Sequence, residues 1–69
     1  MKLFELLATM NSYTVIKLID ARSIAVFHGE VSIAGTEVPE RYKFATVISV
    51  FPEYYKGWSK TGITIIVQP

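Results

Sequence analysis

Cysteine is missing from the sequence, and histidine occurs once, as His28. Disulfides are therefore excluded, and the thiolates and imidazoles that normally hold zinc are too few to assemble a site. No sign of charge dominates. Seven basic and six acidic side chains leave a net +1, so no global field draws the chain to nucleic acid, an anionic membrane or an acidic substrate. Apolar runs last only a few residues, far short of the ~20 needed to span a bilayer. No cationic segment followed by a long apolar stretch opens the sequence. These absences point to a cytoplasmic protein, and the lack of cysteine agrees with that compartment. The four glycines form no phosphate-binding fingerprint, since "GWSKTG" lacks the Gly-Lys-Ser/Thr ending of a P-loop. No cofactor or metal is expected.

What the chain has in excess is apolar surface: 51% of its residues are hydrophobic and the mean hydropathy is +0.35. Its 69 residues allow one domain, 1–69, with a single small core. Domains of this size bury a modest share of their surface and are commonly reinforced by disulfides, metals or self-association. With the first two excluded, self-association is the remaining remedy.

Leu3, Leu6, Leu7 and Met10 fall at i, i+3, i+4 and i+7, which predicts an amphipathic N-terminal helix of about three turns, with Asn11 and Ser12 at its exit. "YTVIKLIDA" and "IAVFHGEVS" are rich in β-branched and aromatic residues and flank the polar "RS", the pattern of a β-hairpin. Gly29 marks a bulge or a close backbone approach. Gly35 and Thr36 end the second strand, and Pro39 opens one helical turn carrying Glu40, Arg41 and Tyr42. "VISVFP" and "TGITIIVQ" then form a second hairpin around a long loop. The expected fold is α+β: an N-terminal helix and a four-stranded antiparallel sheet of two hairpins, with curling toward a small, partly open barrel as the competing closure.

Alternation along the strands places Ile16, Leu18, Phe27, Val31, Ile48, Val50, Ile63, Ile65 and Val67 on one face. The other holds Tyr13, Val15, Ile19, Ile24, Val26, Val47, Phe51 and Ile66, interrupted by Lys17, His28, Ser49 and Thr64. One short helix covers one face, so the second needs another cover. The expectation is a homo-oligomer, most simply a dimer, whose interface includes Val15, Ile24, Val26, His28 and Ile66.

Chemistry-bearing clusters are few. Asp20, Ser23 and His28 have the residue types of a hydrolase triad, but within one hairpin nothing orients them. His28 reads instead as a strand or interface residue that could make association pH-sensitive. Catalysis is not expected. The stretch "EYYKGWSKTG" gathers Tyr54, Tyr55 and Trp58 with Lys56 and Lys60, and the crossover adds Arg41, Tyr42 and Lys43. Rings that pack on the sheet, a protein-binding hot spot and a single-strand nucleic-acid platform are the three readings of this set. A protein partner is favoured over nucleic acid because the chain is nearly neutral.

The layout resembles that of short proteins encoded by phages and prophages of Gram-positive bacteria. The matching features are "LFELL" near the start, a strand ending in "IDA", "FHGEV", a "VPE" crossover, "VISVFPE" and a closing Ile/Val strand. The resemblance spans most of the chain. It implies a non-enzymatic accessory protein of the host-cell cytoplasm that works by binding, with inhibition of a host defence factor as one such role. It assigns no catalytic residue, and "YYKGWSKTG" is not part of it.

Overall fold

The computed structural model of the protein describes residues 1–54 and 61–69. In chain order the elements are α1 (Leu3–Leu7), β1 (Val15–Asp20), β2 (Ala25–Glu30), α2 (Val31–Glu37), α3 (Glu40–Lys43), β3 (Thr46–Tyr54) and β4 (Thr61–Gln68). The strands form one sheet in the order β2-β1-β4-β3.

Both hairpins are present, β1 with β2 and β3 with β4, each antiparallel. They are joined through β1 and β4, which run parallel, with Ile16 beside Ile63, Leu18 beside Ile65 and Asp20 beside Val67. The sheet is thus mixed and open, which corrects both the all-antiparallel expectation and the barrel. Burial explains the order. Ile16, Leu18, Ile65 and Val67 are all fully buried, and the two strands that carry them take the centre, where each has a neighbour on both sides.

The N-terminal helix is shorter than its apolar stripe. Glu5 accepts a hydrogen bond from the Lys2 backbone N–H at 2.8 Å and so caps the start. After Leu7 the chain tightens, with Thr9 and Met10 donating to the carbonyls of Leu6 and Leu7. The Thr9 hydroxyl also donates to the Leu6 carbonyl at 2.7 Å. Leu3 is nonetheless buried, and Leu6, Leu7 and Met10 pack against the core, so the stripe is realised beyond the helix.

The strand expected to run through Val31 and Ser32 stops at Glu30, and α2 begins. The N–H groups of Val31 and Ser32 donate to the carbonyls of Thr14 and Ser12, which anchors the corner. The spacing Val31, Ala34, Val38 carries the helix signal. Ala34 and Val38 are buried and Val31 packs beside them. The single turn after Pro39 forms as expected, with Pro39 as the residue before the helix and Tyr42 buried.

Two bulges change the faces read from simple alternation. Between Leu18 and Ile19 the register slips past Val26, which packs against the core. Between Val47 and Ser49 it slips past Ile48. An extra residue reverses the alternation beyond it, so Val47 joins the core while Ile48 remains exposed.

Candidate functional site

The helices deliver their buried residues, Leu3, Ala34 and Tyr42, to the face that carries Ile16, Leu18, Ile65 and Val67. Register and alternation place the other face in three rows. His28, Lys17, Thr64 and Phe51 form the middle row, with Glu30, Val15 and Gly62 on one side and Ile19, Ile66 and Ser49 on the other. Among the described residues no helix covers this face. Val15, Ile19 and Ile66 are half-buried, and Phe51 is 41% exposed. Thr64, between Lys17 and Phe51, is buried, and its hydroxyl has no hydrogen-bond partner among the described residues.

Of the expected interface residues, Val15, His28 and Ile66 lie on this face. Val26 does not, because the bulge turns it to the core. Ile24 also falls outside the strands, in the β1–β2 turn, where its carbonyl accepts from the Asp20 N–H. Ser23 adopts φ 67° in that turn. The bare face is therefore narrower and more polar than the sequence suggested. Lys17 and Thr64 stand at its centre, and Glu30 lies at its β2 margin.

A polar cluster occupies the end of β1 on the covered face. The Tyr42 hydroxyl donates to Asp20 Oδ2 at 2.9 Å, and the Arg22 backbone N–H donates to Oδ1 at 2.9 Å. The Arg22 Nε–H reaches Oδ1 at 3.5 Å from an exposed side chain. The Asp20 carboxyl is held below its ordinary value, first by the Arg22 backbone N–H and then by the Tyr42 hydroxyl. The Arg22 guanidinium adds less, and burial pushes the other way. Asp20 thus ties α3 to the sheet. His28 stands on the opposite face and Ser23 in the turn, so Asp20, Ser23 and His28 are not brought together. Among the described residues no group of three or more His, Asp or Glu side chains converges on a metal-sized site. No helix among them is long and apolar enough to cross a membrane.

The expected binding set divides. Tyr55, Lys56, Trp58 and Lys60, with the side chain of Tyr54, lie outside the described residues. Tyr42 is 3% exposed and is a core residue, not a stacking platform. The Arg41 guanidinium lies 4.9 Å from the centre of the Tyr42 ring. Lys43 instead lines an apolar cleft with residues of α1 and α2, a feature that sequence reasoning missed because it forms only when residues far apart in the chain come together. Comparison of the chain with protein-family models, curated proteins and solved structures finds no match.

Proposed function

We propose that the chain is a non-enzymatic binding module that self-associates through the bare face of its sheet, with a second copy as the occupant. One observation carries this reading: Val15, Ile19, Phe51 and Ile66 lie around Lys17 and Thr64 on a sheet face that no described helix covers. The charge on the face also favours a second copy. Lys17 and Glu30 lie on neighbouring strands one row apart, so two faces packed about a twofold axis that runs between these rows, in the plane of the interface, would set the lysine of each copy toward the glutamate of the other.

Lateral addition at β3 is less favourable. Its outer edge begins with an antiparallel bridge from Lys2 to Thr46, and the Val47 N–H donates to the Met1 carbonyl. Beyond these come the bulge at Ile48 and then Pro52, both devices that blunt a sheet edge. Face-to-face packing is favoured over addition at this edge. Four strands at ~4.8 Å spacing make a platform only about 20 Å across. This is small for a stable interface, so association is expected to depend on concentration. The resemblance to phage-encoded accessory proteins extends the proposal to a host protein as a further partner and to a cytoplasmic setting.

Sedimentation equilibrium of the wild-type chain and of Ile66→Lys tests the dimer. The wild type is expected to show a reversible dimer from micromolar to millimolar concentration, and Ile66→Lys to remain monomeric with an unchanged circular dichroism spectrum. A wild-type chain that stays monomeric throughout that range contradicts the proposal.

A further inference from the structure

The outer side of the helical layer carries a cleft of about 280 Å³, lined chiefly by Phe4, Leu7, Val31, Ala34, Gly35 and Lys43. Its volume lies near the ~300 Å³ lower end of small-molecule sites. Lys43 is the one ionisable residue in the lining among the described residues. It is half-buried and makes no ion pair among the described residues. Phe4 packs edge-on against Phe44, with ring centres 5.4 Å apart, yet stays 48% exposed.

Gly35 is the second, independent observation. Glycine is among the poorest helix formers, and this one lies inside α2. Its backbone is not in the left-handed region that would call for glycine, and a Cβ placed there would meet no atom within 4 Å. Neither conformation nor packing against the described residues accounts for it. Gly35 is exposed and lines the cleft, and the missing side chain leaves the helix backbone there open to an approaching molecule.

We infer that this cleft binds a small amphiphile, an aliphatic chain ending in one anionic group, with the chain along Leu7, Val31 and Gly35 and the head at the Lys43 ammonium. An almost wholly apolar wall favours an aliphatic body, and a lone lysine suits a single negative charge more than a bidentate partner. The site is distinct from the bare sheet face.

Decanoate, kept below its micelle concentration, is the probe, and amide chemical shifts are the readout. Saturable shifts are expected at Ala34, Gly35 and Lys43, and Ile66→Lys should leave them unchanged. Gly35→Leu fills the cleft and is expected to abolish saturation, whereas Gly35→Ala retains it. Lys43→Gln is expected to weaken decanoate about threefold, as loss of a part-exposed charge pair does, and to leave decanol unchanged. The proposal is overturned by undiminished binding to a folded Gly35→Leu chain, by equal losses of decanoate and decanol in Lys43→Gln, or by shifts confined to the sheet face. Binding to anionic vesicles without saturable decanoate binding also overturns it.

Discussion

At the scale of single residues, Asp20 shows how a chemical reading changes once neighbours are known. Its sequence proximity to Ser23 and His28 suggests a triad, but alternation alone sends Asp20 and His28 to opposite faces. The decisive partner, Tyr42, is 22 residues away and was legible only as a ring in the crossover. Because the folded carboxyl is held below its unfolded value, the stability it contributes is complete above about pH 4 and is lost as pH falls through the lower folded value. Tyr42→Phe removes one of the hydrogen bonds that lower the pKa. It is expected to destabilise the fold at neutral pH and to move the midpoint of acid unfolding upward, which a pH titration followed by far-ultraviolet circular dichroism measures. Thr64 gives a prediction of opposite sign. Its buried hydroxyl is unpartnered among the described residues, so Thr64→Val is expected to stabilise the protein by about 1 kcal/mol in urea unfolding; a destabilised variant would mean that the hydroxyl has a partner.

At the scale of elements, the sequence reveals the hairpins, the turn after Pro39 and the apolar stripe of α1. It conceals α2, because Val31, Ile33 and Gly35 are weak helix formers, and burial of Ala34 and Val38 outweighs their propensity. It also conceals the bulges, since one extra residue leaves no compositional trace. Val26 bears the consequence. A lysine there enters the core, so Val26→Lys is expected to unfold the chain, whereas Ile66→Lys alters only the bare face. The close approach expected at Gly29 is made first by Phe27 of the same strand and then by Ile33 of α2: a Cβ there would lie 3.0 Å from Phe27 Cζ and 3.2 Å from Ile33 Cδ1. Both are side-chain ends that can shift, so Gly29→Ala should cost little. Gly29→Val overfills the contact and is expected to lose about 1–3 kcal/mol in denaturant unfolding.

At the scale of the whole molecule, two hairpins, part of the N-terminal helix and the helical turn after Pro39 were legible, but the way the hairpins join was not. Joining through β1 and β4 is a long-range choice, decided by which strands hold the residues most in need of burial. Among the described residues, the same arrangement leaves one side of the sheet with no helix over it. The most direct test is solvent access to that uncovered side, read as relaxation of the Val15, Ile19 and Ile66 methyl signals by a soluble paramagnetic agent over a dilution series. If a second copy covers the face, these methyls are shielded in concentrated solution and become exposed on dilution, while the outward Ile48 methyls relax strongly throughout. Methyls of Val15, Ile19 and Ile66 whose relaxation is the same at every concentration would contradict self-association through this face.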